Sequence, residues 1–505
     1  MSNLSKNILY NFSGQILIFF LGFIAVKYIF SQLGEDALGI IYFTAMMNGL
    51  LCIILEMGIC ATTVREVSAH FDSEPEYIRD LIKTFSLFYW GSFTFIGLAI
   101  YFAAPLIVEK WINLRSMESA TAICAVRILG ISSLAALPGA FYVSLFRGLQ
   151  RMEINNIIDV GTFGAQQLGA ILLLSLHGGL FSVINWFASC YVLRVCIYII
   201  LARQFFTSKA LIPGFSKKAI RRVLSFASSM MSISVLASIH MQMDKIVVSK
   251  LFPVGVFGYY GFTYGSVSKG ALIAGAIQQA SYPSFSALHE KGDGLTLMTQ
   301  YQKAQDLICF FLLPLYAAIP FVSIPVLSYL FNQETAELLL LPATFLGLGF
   351  YMNATLAIPS VFSQAVGKPG IILRMNFWAI FAVPPVTVIL THLFGLTGAA
   401  FSWVFYHLFA YAFAVPRICD ECLGIPAWKW YWHAMRAFLL AGLSFGGAWL
   451  IWNAVRDPSI LSALLAYLSA SVVFFVGSLF LLGPQLRGTL SLYQRRLFAR
   501  SMIGS

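Results

Sequence analysis

Fourteen apolar runs follow one another along the chain, at about 8–32, 37–63, 84–107, 119–146, 153–176, 179–202, 223–250, 254–283, 304–330, 337–363, 371–394, 396–416, 433–453 and 460–483. A transmembrane helix needs about 20 mostly apolar residues and a membrane β-strand only about 9–11, so these runs read as helices. The pattern predicts an all-α polytopic membrane protein with about 14 transmembrane helices. An even number of spans puts both termini on one face. Placing them inside leaves 23 Lys and Arg in or beside cytoplasmic segments and only Lys110, Arg115, Lys250 and Arg456 outside. Basic residues collect in cytoplasmic loops, so both termini are expected there.

Composition supports this reading and narrows it. Of 505 residues, 59% are hydrophobic and 10% charged, against about 25% charged in soluble domains. A soluble enzyme is excluded. The net charge of +11 follows from the basic loops, and no basic stretch is long enough to form a nucleic-acid-binding domain. Six of the eight cysteines sit in apolar runs, where Cys packs as a small hydrophobe. Cys419 and Cys422 form a lone CxxC with only His433 nearby, too few ligands for a tetrahedral metal site. No disulfide framework, metal or cofactor is implied. There is no P-loop and no HExxH, so no catalytic residue is assigned and the chain is not read as an enzyme. The apolar stretch after Lys6 runs past Phe30 without a small-residue cleavage pattern and reads as the first span.

The chain repeats itself. Lys27-Tyr-Ile-Phe-Ser31-Gln-Leu33 aligns with Lys245-Ile-Val-Val-Ser249-Lys-Leu251 at a shift of 218, and Gly178 aligns with Gly395 at 217. Phe43-Thr44 with Phe262-Thr263, Ala61 with Ala280, His70 with His289 and Pro105 with Pro325 fall at nearly the same shift. Six spans per repeat relate two halves by an axis along the membrane normal, which puts a substrate site between lobes. The expected parts are a six-helix lobe over 1–202, a basic cytoplasmic linker over 203–222, a second six-helix lobe over 223–416, a loop and appended helix pair over 417–483, and a basic tail over 484–505. The linker carries six basic residues and no acid, suited to the anionic inner leaflet. The tail, with Arg487, Arg495, Arg496 and Arg500 among Leu492, Leu497 and Phe498, reads as an interfacial amphipathic helix. The appended pair lies outside the repeat, so its loss is expected to affect stability more than transport.

A 6+6 repeat with a basic central linker resembles the multidrug/oligosaccharidyl-lipid/polysaccharide (MOP) exporter superfamily. Within it the chain is most similar to the Wzx-type O-antigen and polysaccharide-repeat flippases. Asn7-Ile-Leu-Tyr-Asn-Phe-Ser-Gly-Gln15, Leu33-Gly-Glu-Asp-Ala-Leu-Gly39-Ile, Ala365-Val-Gly-Lys-Pro369 and Gly395-Leu-Thr-Gly-Ala-Ala400 carry the resemblance. It covers about 1–416 by motif and 417–505 by hydropathy alone. It implies a V-shaped, two-lobed transporter that moves undecaprenyl-pyrophosphate-linked oligosaccharides across a bacterial inner membrane by alternating access, with ion coupling in many members. The partners it implies are the lipid-linked oligosaccharide, membrane lipids, and a polysaccharide polymerase with its chain-length machinery.

Charges inside spans are the candidate site, because an intramembrane charge costs about 2.5–3.5 kcal/mol and usually faces a polar interior. Lys269, mid-span in Tyr264-Gly-Ser-Val-Ser-Lys269, is the leading substrate-binding candidate. A buried ion pair is its competing role; Lys27 and Lys245, equivalent in the repeat and toward the outer ends of their spans, join it with snorkelling to the headgroups as theirs, and Arg127 and Arg194 complete the set. Glu56, Asp159 and Asp244 are the ion-coupling candidates, and Asp244 can instead pair with a neighbouring lysine. Asp306 and Arg374 read as surface charges at the inner face. Two other function classes compete. A multidrug/cation antiporter would favour acids over lysines in the lobes, and a glycan polymerase or ligase needs larger outer loops than this chain has.

Overall fold

The computed structural model describes residues 3–454 and 459–482, and the side chains of 3–13, 15–17, 53–57 and 225–238 are outside that description. Two compact units divide the chain at Phe262/Thr263. The first holds α1 (Asn3–Leu33), α2 (Glu35–His70), α3 (Pro75–Leu106), α4 (Ser119–Ser133), α5 (Ala136–Gly148), α6 (Met152–Ser175), α7 (Leu180–Ala202), the short α8 (Ser208–Leu211), α9 (Lys217–Leu251) and the start of α10 (Val254–Ser268). The second continues with α11 (Ala271–Glu290), α12 (Gly294–Asp306), α13 (Leu313–Ala317), α14 (Ile319–Leu330), α15 (Gln333–Ala365), α16 (Gly370–Ile418), α17 (Ala427–Ala441), α18 (Gly447–Asn453) and α19 (Ile460–Leu481). Among the described residues the single extended pairing is an isolated bridge between Asn113 and Pro253. The fold is all-α and polytopic.

Proline and glycine decide where the apolar runs bend. The run over 119–146 is two helices, because Pro138 lacks an N–H and fits only the first turn of α5. The run over 304–330 is cut into three, with Pro314 and Pro320 each opening a new helix. Conversely, α16 runs 49 residues through two expected spans, and Gly395 turns the chain within it at φ 62°, ψ −139°. Side-chain caps set several helix starts: Ser216 for α9, Asp293 for α12, Asn332 for α15 and Ser459 for α19 each accept a bond from the backbone N–H three residues on.

In the first unit α2 packs on α5 and α9, and α1 packs on α6. Tyr89, Phe141, Tyr142, Phe146 and Tyr198 are almost fully buried between these helices. The segment between α7 and α9 is docked rather than free: Gly214 N–H bonds Lys83 O, and Ser216 N–H bonds Thr84 Oγ1. In the second unit α15 is central, packed against α11, α14 and α16, with Phe362 meeting Phe285 and Tyr301 edge-on. Large apolar side chains such as Phe95, Phe102, Leu443 and Phe480 point outward, more than 70% exposed. Nine helical stretches among the described residues are long and apolar enough to cross a membrane, so these outward faces suit lipid. The chain is a multi-pass membrane protein. The basic tail after Pro484 lies outside the described residues.

One end of the first unit is laced by the segment that follows α3. Asp36, in the first turn of α2, accepts backbone N–H bonds from Arg115, Ser116 and Met117 and a hydroxyl bond from Ser116. Three converging N–H groups form a nest that suits a carboxylate. Asn113 bonds Lys250 O, and Val254 N–H bonds Asn113 O. Above this lacing, α2 and α10 cross with their backbones in contact. A Cβ on Gly39 would stand 2.0 Å from Val254 O, and one on Gly258 would stand 2.8 Å from Gly39 N. Only glycine allows so close an approach.

Candidate functional site

Asp159 on α6 and Arg194 on α7 meet inside the first unit. Arg194 Nε and Nη2 both reach Asp159 Oδ1, at 2.9 and 2.8 Å, and Tyr198 donates its hydroxyl to the same oxygen at 3.2 Å. Gly139 on α5 leaves the room: a Cβ there would stand 3.1 Å from Arg194 Nη1. The ion-coupling and substrate-binding candidates at these positions are therefore one pair, which is how a carboxylate and a guanidinium are held away from bulk water.

Asp244 and Lys245 on α9 make a second pair. Both are about 95% buried, with Lys245 Nζ 3.3 Å from Asp244 Oδ1 and bonded to Met241 O. Tyr260 of α10 donates to Asp244 Oδ2 at 2.7 Å. Lys27, at the equivalent place in the repeat, is half-buried on α1. Arg127 donates from Nε to Tyr101 O and stacks on the Tyr101 ring at 4.3 Å, so its guanidinium is spent on α3. The Glu56 side chain lies outside the described residues.

Lys269 differs from these. It stands in the two-residue break between α10 and α11, exposed, and its ammonium makes no ion pair among the described residues. The run over 254–283 is thus a broken helix with a cation at the break. Transporters place such irregular backbone where it lines a cavity.

Two carboxylates escape the pattern-based reading. Glu66, near the C-terminal end of α2, is buried; burial pushes its carboxyl up, but hydrogen bonds from Arg65 and Tyr77 outweigh this and hold it below the usual range. Next to it Arg222 grips Glu74 with two bonds, of 2.7 and 2.9 Å, and lies 4.0 Å over the Tyr77 ring. Asp306 corrects an expectation: it is no surface charge but is 3% exposed. Its cover is α17, which brings His433 Nε2 to 3.1 Å from Asp306 Oδ1. The partner lies 127 residues on in a helix outside the repeat, so no local signal pointed to it.

These geometries place paired charges and the exposed Lys269 within a helical membrane scaffold. The family described as "Polysaccharide biosynthesis protein" matches residues 4–289, more than half of the chain. The chain belongs to this family. No curated protein matches it in sequence. Among solved structures it is similar to "Lipid II flippase MurJ, inward closed conformation", with 17% identity, 98% of this chain and 99% of that one covered, and a TM-score of 0.70. An inward-facing multidrug resistance MATE family transporter of the MOP superfamily gives 15% identity, 82% and 98% coverage and 0.66. A MOP superfamily transporter from Pyrococcus furiosus Vc1, whose reversed pocket polarity is said to suggest a different function, gives 16%, 82% and 92%, and 0.54. At such identities the likeness concerns the fold. That fold is the MOP transporter fold expected from the repeat, and 98% coverage by the first structure takes in the C-terminal helix pair. The chain is thus a member of the polysaccharide biosynthesis family with the fold of these membrane proteins.

Proposed function

We propose that this chain flips undecaprenyl-pyrophosphate-linked oligosaccharide repeat units from the cytoplasmic to the periplasmic leaflet of a bacterial inner membrane, by ion-coupled alternating access. Lys269 carries the reading: its side chain is exposed at the break between α10 and α11 and makes no ion pair among the described residues, which suits an ammonium that binds an anion. A pyrophosphate supplies that anion while the lipid tail stays in the bilayer. Lys27 shares the role, and Lys245, Arg127 and Arg194 join it by exchanging their contacts with Met241 O and Asp244, Tyr101 and Asp159. Asp159 and Asp244 support the coupling reading because each holds a cation inside a span that protonation of the acid would release. The flipped unit passes to a polymerase and its chain-length machinery.

The test is a bacterial strain lacking the gene, scored for surface glycan and for lipid-linked oligosaccharide left on the inner leaflet. Complementation by this chain restores the first and clears the second. Complementation of drug efflux instead would move the reading to a multidrug/cation antiporter. Orientation is tested separately. Reporter fusions at Ser505 and at about residue 457 should report cytoplasm and periplasm, and a periplasmic signal at Ser505 would reverse the topology.

A further inference from the structure

The helix pair α17–α19 carries a cluster that the transport reading does not use. Asp306 closes α12, where its carboxylate is almost fully buried. An unpaired carboxylate there would be costly, so it demands a partner. His433 Nε2 provides one at 3.1 Å, and on the far side of the ring Arg436 Nη2 lies 2.9 Å from His433 Nδ1. A guanidinium has no lone pair to offer, so Arg436 donates and Nδ1 accepts. With Nδ1 accepting, the ring is in its neutral form and its proton is on Nε2, the nitrogen that lies 3.1 Å from Asp306 Oδ1 without hydrogen-bond geometry. The three groups form a line: guanidinium cation, neutral ring, carboxylate.

Such a line has one vacancy for a proton. A proton arriving at Nδ1 turns that nitrogen from acceptor to donor, breaks the bond from Arg436 and sets two cations side by side. The same proton makes the ring a cation 3.1 Å from the Asp306 carboxylate. Arg436 Nε is buried with no hydrogen-bond partner among the described residues, so the contact with His433 is the hydrogen bond given for this guanidinium. The His433 side chain is 21% exposed, and it lies in the first two turns of α17, beside the outward-facing Trp428 and Trp432.

We propose that Asp306, His433 and Arg436 form a proton-binding site through which pH acts on the packing of α12 against the C-terminal helix pair. Besides Asp306, the titratable group facing the ring from α12 and the turn after it is the thiol of Cys309. From α15, Tyr351 donates its hydroxyl to Cys309 O, and from α19 Tyr467 donates to Pro314 O. From α16, Tyr411 is engaged with Thr355. Tyrosines titrate near pH 10, well above the range in which an imidazole changes charge. The site goes beyond the flippase reading, and its test does not need transport.

The full chain is purified in detergent, and its unfolding temperature is followed from about pH 5 to pH 9. Wild type should show a step that His433→Gln lacks, since a glutamine amide can donate to Asp306 and accept from Arg436 but cannot titrate. Cys309→Ser should keep the step. Asp306→Asn should move it to lower pH and Arg436→Gln to higher pH, each by about one unit or more, as expected when a charge within about 4–6 Å is removed. Superimposable wild-type and His433→Gln profiles would overturn the proposal. If His433→Gln does not accumulate, the two opposed shifts decide, and their absence is equally fatal.

Discussion

Replacing Lys269 by glutamate is expected to abolish glycan export while the protein still reaches the membrane. Lys269 sits at the break between α10 and α11, so a carboxylate there would repel the pyrophosphate of the proposed substrate. Lys269→Ala should leave little activity, because a charge-assisted hydrogen bond to phosphate is worth about 1.5–3 kcal/mol, or tenfold or more in affinity. Lys269→Arg should retain much of it. A purely structural role has a different signature. A lysine next to the last carbonyls of α10 also favours that helix end, by about 0.3–1 kcal/mol, and loss of that contribution lowers membrane levels in the alanine and glutamate variants alike. Blotted levels of each variant separate the two. Normal export by both Lys269→Ala and Lys269→Glu at normal levels would hand the phosphate contact to Lys27.

What made Lys269 visible in advance was a lone charge in a long apolar run, a signal that needs no tertiary information. The helices were legible for the same reason, since span length and apolar content are local properties. Breaks were legible only in principle. Pro138, Pro314 and Pro320 stand inside runs that hydropathy joins, and each opens a new helix because it lacks the N–H that a continuous helix would use. Pairings were not legible when they crossed helices. Asp159 and Arg194 are 35 residues apart, and the choice between ion coupling, substrate binding and mutual pairing waits on the geometry of α5, α6 and α7. Asp306 marks the limit: at the end of an apolar run it has the sequence signature of a surface acid, and only the docking of α17 buries it. Adjacency helped in one case, since Asp244 and Lys245 are chain neighbours and their pairing was an open alternative from the start.

The crossing of α2 and α10 sets the last expectation, and it concerns a residue with no chemistry. Gly39→Val should destabilise the protein severely. A Cβ at Gly39 would lie 2.0 Å from Val254 O and 2.4 Å from Val254 C, and both are backbone atoms that no rotamer change can move aside. Overpacking that side chains can absorb costs about 1–3 kcal/mol, so a clash against backbone falls at or above the top of that range. The two helices must separate, and the neighbouring contacts go with them. These are the Asp36 nest, the bond from Tyr259 to Glu35 and the Asn113 lacing to Lys250 and Val254. The unfolding temperature should fall by several degrees or more, and export should be lost. Gly258→Ala, 2.8 Å from Gly39 N, should follow in the same direction with a smaller effect. Gly91→Ala is the control: nothing lies within 4 Å of its added Cβ, and in the middle of α3 alanine is the better helix former by about 1 kcal/mol. Equal unfolding temperatures for Gly39→Val and wild type would mean that α2 and α10 do not meet at this crossing in the membrane.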